Sequence, residues 1–169
     1  LSRLVEAGLL LEQSAPPSGR GRPRLLYSIN PATDSRWGVT GPYERLAVLL
    51  AEVVRSGDDP EEVGRRAGRR SRLGGRTTAA DPVGALSEEM ARQGFDPEVH
   101  RDGPQATITL TNCPFLSAAA ADADTVCSLH LGLARGVAEA VGGIEVAELE
   151  ARDPRRAHCR LICHLTETA

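Results

Sequence analysis

Four cysteines, Cys113, Cys127, Cys159 and Cys163, fall in the last third of the chain, with His130 among them. No charged-then-apolar leader opens the sequence, so the thiols read as reduced cytosolic groups rather than disulfides. Clustered cysteines in that setting suit a metal or redox site. Cys127 and His130 are spaced i, i+3 on a predicted helix and share a face. Cys113 sits at a Pro-marked corner before it. Cys159 and Cys163 point to one side of a predicted strand, but about 13 Å apart at the rise of an extended chain. A single centre takes only one of them. Cys159 is the better ligand, because Cys163 lies beside the apolar Leu161 and Leu165. Thiolates suit zinc and iron–sulfur clusters, and a neutral imidazole can complete a set of three thiolates. The expected site is Cys113, Cys127 and Cys159, with His130 as fourth ligand and Cys163 in reserve. The plainer reading is four separate buried thiols acting as small hydrophobes.

A second constellation lies near the start. Residues 14–24 are rich in Pro, Gly and Arg and hold no acid. Glycine lets backbone approach a phosphate, and Arg can fork two donors onto one or enter a narrow minor groove. A helix end, a short strand, this loop and the strand Leu25–Ile29 have the shape of a winged helix-turn-helix. Ser2, Arg3, Arg20, Arg22 and Arg24 are the DNA contacts it offers. A solvated hairpin loop is the plain alternative.

Leu4-Val5-Glu6-Ala7-Gly8-Leu9, Gly19-Arg20-Gly21-Arg22-Pro23 and Leu26-Tyr27-Ser28-Ile29 resemble the back half of a bacterial winged-helix repressor, with a wing similar to that of the SufR-like transcriptional regulators. Asn112-Cys113-Pro114-Phe115, Val126-Cys127-Ser128-Leu129-His130 and His158-Cys159-Arg160 resemble their C-terminal sensor half. The resemblance implies an iron–sulfur cluster (zinc as the alternative) on Cys113, Cys127 and Cys159. It also implies that the first helices of the DNA-binding domain precede Leu1. Thr109 stands where such regulators carry a further cysteine. The implied function is a cytoplasmic regulator, homodimeric on double-stranded DNA, whose affinity responds to the cluster or metal. One rival is a regulator of the same fold that senses a small organic ligand, its thiols incidental. Another is an enzyme using Cys127 beside His130 as nucleophile.

The elements that must position these residues follow from pattern. The chain has 169 residues, 41% hydrophobic and 3% aromatic, so its core is built of Leu, Val, Ala and Ile. No apolar run is long enough to span a bilayer. All 20 basic residues are Arg, and the net charge of -3 excludes a globally basic coat but not a local basic patch. Helices are predicted from Pro42 to about Arg55, from Pro60 through the arginine run to Gly74, from Pro82 to Gln93, and over about 122–141. Strands are predicted over 95–100 and 107–111, with a closing hairpin of 144–151 and 158–165. The expected fold is α+β: a partial winged helix-turn-helix (1–35), a helical linker and dimerisation region (36–76), and an α-β-β-α-β-β sensor domain (77–169). Leu46, Leu49, Leu50 and Val53 are core or a dimer seam, and the Arg65–Arg76 run is a solvated face. Gly132 and Gly136 mark close helix packing. No catalytic triad, phosphate loop or dinucleotide fingerprint is present, so no enzyme is expected.

Overall fold

A computed structural model of the chain describes residues 1–15, 24–30, 41–71 and 81–166. Two compact units result, Leu1–Gly41 and Pro42–Ala169. In the first, a five-residue helix α1 (Ser2–Glu6) ends before Gly8, whose φ of 70° takes the left-handed turn. Strands β1 (Leu10–Ser14) and β2 (Leu25–Ile29) pair antiparallel, Leu10 opposite Ile29 and Ser14 opposite Leu25. None of the α1 residues is buried, and Leu11, Leu25 and Leu26 are exposed.

The second unit holds the core. Its first helices are α2 (Pro42–Ser56), α3 (Pro60–Arg69) and α4 (Pro82–Arg92). Pro at the first turn of each pre-sets φ, and in α3 and α4 an Asp before it caps. Asp59 accepts the Glu61 N–H at 2.8 Å, and Asp81 accepts the Gly84 N–H at 2.9 Å. Strands β3 (Pro97–Asp102) and β4 (Gln105–Leu110) form a hairpin. Helices α5 (Leu116–Ala121) and α6 (Ala123–Val141) follow, then β5 (Ile144–Glu150) and β6 (Cys159–Leu165). The sheet is antiparallel throughout, in the order β3-β4-β6-β5. Its β3 edge is nearly all exposed, and its β5 edge carries a bulge between Val146 and Glu148.

Helices α3 and α6 pack backbone to backbone. A Cβ on Gly64 would overlap the Leu129 carbonyl oxygen, and one on Gly136 would overlap that of Arg65. Glycines on both helices make the approach possible. Glu139 then receives both Arg65 and Arg69 across it.

These observations correct the expected fold class. The described residues of the first unit form the helix end and antiparallel strand pair expected there, which do not by themselves make a helix-turn-helix. The segment expected as a linker is part of the second unit's core: Leu46 and Leu49 are buried and Val63 is fully so. Leu50 and Val53 pack against the same cluster, so the apolar stripe of α2 is covered from within rather than by a second copy. The C-terminal order is α-β-β-α-α-β-β, because Asp122 starts a new helix by accepting the Thr125 N–H at 3.0 Å. The arginine run is not simply solvated: besides the Glu139 pairs, Arg66 binds Asp58 at 2.7 Å.

Candidate functional site

Register, rather than sequence proximity, builds the site. Cys159 opens β6 directly opposite Leu110, the last residue of β4. Three residues past Leu110 comes Cys113. Its corner is tied down by Asn112 Nδ2, which donates to the Gly94 carbonyl at 2.9 Å, and by the Thr111 N–H, which donates to that of Asp96 at 2.9 Å. Cys127 lies one turn into α6. All three thiols line one small cavity with Phe95, Phe115 and Leu149. The cavity measures about 20 Å³, room for one water-sized guest. Arg152, Pro154 and Ala157, in the β5–β6 loop, complete its wall. Ala157 and the next residue, His158, hold φ of 53° and 62°, a left-handed pair without glycine. The His158 N–H donates to the Leu110 carbonyl at 2.8 Å, which fixes the loop over the cavity.

The walls are apolar, and the thiols respond accordingly. Burial pushes Cys127 up to about 11, the neighbouring Cys159 and Cys113 sulfurs adding to it. Burial also raises Cys113, partly offset by the Phe115 N–H. Both are protonated thiols near neutral pH. The Cys159 sulfur accepts the Arg152 N–H at 3.3 Å. His130 is buried, and desolvation lowers it to about 4, so its imidazole is neutral. The ring stacks on Phe95 with centroids 4.2 Å apart and planes 12° from parallel. Phe95 in turn meets Phe115 edge-on at 5.5 Å. His130 Nε2 lies 3.5 Å from the Met90 sulfur.

The expected residues are thus distributed unevenly. Cys113, Cys127, Cys159 and His130 share the cavity. Cys163 is fully buried in the core, its thiol raised to about 12 by burial. Ser2, Arg3 and Arg24 are exposed in the first unit, while Arg20 and Arg22 lie outside the described residues. Sequence reasoning missed Phe95 as the platform for His130. An aromatic just after the α4 stop at Gly94 was the available signal.

Among the described residues, no group of three or more His, Cys, Asp or Glu side chains is placed to hold a metal ion. The thiols reach the cavity from separate walls, and the His130 ring is held by Phe95 and Met90. The metal-binding reading drawn from spacing is corrected on that point.

Comparison with known proteins gives little kinship. No family model matches the chain. No curated protein matches it either. A solved structure that does match is subunit 3 of a trafficking protein particle complex from Naegleria fowleri, covalently bound to palmitic acid. It is 16% identical, covers 72% of this chain and 90% of that chain, and superposes with a TM-score of 0.47. No family model or curated protein supports the expected SufR-like DNA-binding regulator acting as a homodimer on double-stranded DNA, and that expectation is corrected to this extent. Among the described residues, no helix is long and apolar enough to cross a membrane.

Proposed function

We propose that the Pro42–Ala169 unit is a binding domain, not an enzyme, and that its thiol-lined cavity receives a small apolar ligand. The observation that carries this reading is the convergence of Cys113, Cys127 and Cys159, from three separate elements, on one apolar cavity. A protonated thiol is a polarisable, weakly polar wall, which suits an apolar guest. The raised Cys127 and Cys113 thiols argue against a nucleophile, which needs a thiolate. His130 supports the same view, since its Nε2 faces a thioether and not a thiol. At about 20 Å³ the cavity is far below the ~300–1,000 Å³ of ordinary ligand pockets. Binding therefore requires the Arg152–Ala157 wall to move. Four free cysteines support a reducing, cytoplasmic setting.

The test is a titration of the reduced chain with 1-hexanol and with hexanoate, followed by methyl NMR of Leu110, Val126 and Leu149. Hexanol shifts these methyls, hexanoate does so more weakly, and Cys127→Leu, which fills the cavity, removes the response. Methyls unmoved by hexanol would overturn the reading. So would one equivalent of iron or zinc per chain in anaerobically purified protein. That result would return the thiols to the role of metal ligands, drawn together and deprotonated by the metal.

A further inference from the structure

A second concavity, of about 350 Å³, is lined by Arg45 of α2, Arg70 at the end of α3, Arg92 and Gln93 at the end of α4, and the apolar Leu49 and Leu133. Gln93 is 2% exposed. Its Nε2 donates to Glu89 Oε1 at 3.1 Å. The other Glu89 oxygen takes the Arg92 Nε at 2.9 Å and Nη2 at 2.5 Å. The amide cannot turn over, since its oxygen would then face a carboxylate. Gln93 Oε1 is left as the one buried side-chain polar atom without a partner among the described residues. Leaving such a buried acceptor unmade is unfavourable. It calls for a donor.

The charges around it call for an anion. Glu89 compensates Arg92. Neither Arg45 nor Arg70 is in an ion pair or side-chain hydrogen bond among the described residues. Two guanidiniums with free forks beside a fixed acceptor and an apolar floor form a complementary set. We infer that this groove binds a small oxyanion that carries an O–H donor, a protonated phosphate or a hydroxylated organic phosphate. The anionic oxygens meet Arg45 and Arg70, and the O–H donates to Gln93 Oε1 once the side chains that close this atom off from solvent move aside. The volume lies in the range of small-molecule sites, so an organic portion has room over Leu49 and Leu133.

Sulfate separates the two halves of this recognition. At pH 6.5 it shares the tetrahedral shape of phosphate and carries more negative charge, but has no proton to donate. Calorimetric titration of the full chain in low-salt chloride buffer should find phosphate bound about tenfold more tightly than sulfate, the worth of one hydrogen bond to a fixed acceptor. Glycerol 3-phosphate, if tighter still, identifies the organic source, and if weaker, inorganic phosphate. Gln93→Leu should bring sulfate and phosphate to parity. Because Gln93 is buried, the double variant Arg45→Ala, Arg70→Ala provides a second reading from more accessible positions. It should weaken phosphate by about tenfold or more. No binding of phosphate or glycerol 3-phosphate below about 10 mM overturns the inference. So does sulfate binding as tightly as phosphate, or binding unchanged in the double arginine variant.

Discussion

Gly132 of α6 lies so close to Glu61 of α3 that a Cβ on it would overlap the Glu61 carbonyl oxygen. The clash is with backbone, which cannot rotate away as a side chain can. Gly132→Ala should therefore destabilise by about 3 kcal/mol, at the upper end of overpacking penalties, despite the higher helix propensity of Ala. Urea unfolding checks this. A variant as stable as the parent would mean that the two helices do not meet as described.

His130 makes the fold acid-sensitive. Its folded value is about 4 against an ordinary 6.5. A lowered value means that the unfolded chain binds the proton more readily. The stabilisation is thus fully present above about pH 6.5 and is lost as the pH falls towards 4. The shift corresponds to about 3 kcal/mol. Unfolding free energies of the parent and His130→Gln, compared at pH 7 and pH 4, should differ in their pH dependence by that order. Parallel curves would sink the assignment.

The cysteines should label in a fixed order. Cys163 is fully buried and raised to about 12, so alkylation there waits for unfolding. Cys127, at about 11, should react about a hundredfold more slowly at pH 8 than an ordinary thiol near 9. Cys159, half-buried on the cavity wall next to the β5–β6 loop, should label first. Peptide mapping after timed quenching reads the order directly.

Asp81 caps α4 through the Gly84 N–H and also binds Arg101 at 2.8 Å. The Gly84 N–H and then Arg101 hold its carboxyl below the usual range. Asp81→Ala should cost about 1 kcal/mol, most of it from the lost cap. Asp81→Asn, which keeps an accepting oxygen, should recover much of that loss. Thermal denaturation of the two variants distinguishes the cap from the surface ion pair.

The capped helices were legible because Pro after Asp is a local signal, as at Asp59-Pro60 and Asp81-Pro82. The closing hairpin, expected over 144–151 and 158–165, was legible from the Asp153-Pro154 break between its two runs. The start of the long helix near Asp122 was legible, but the short helix Leu116–Ala121 before it was not, since a run of alanines shows no apolar stripe. The stripe of Leu46 and Leu49 was visible, but an apolar face looks the same whether a core or a second chain covers it. Gly132 and Gly136 announced close packing without naming α3 as the partner. At the site, the convergence of three cysteines was readable, but their spacing around the cavity was not. That depends on the β4–β6 register, which sets Cys159 opposite Leu110. Gln93 and its arginines gave no sequence signal, because their relation is fixed only when α2, α3 and α4 pack.

The four-stranded sheet ends in two strands that could each accept another chain, and each is guarded by different means. Strand β3 presents Glu98, His100, Arg101 and Asp102 along an exposed edge, and charges there disfavour recruitment of a further strand. Strand β5 bends at its bulge, where Arg135 donates to the carbonyls of Val146 and Ala147. A guanidinium thus holds acceptors that a neighbouring molecule would otherwise meet. Both margins of the sheet thus disfavour a further strand, and removing Arg135 would free two acceptors at one of them.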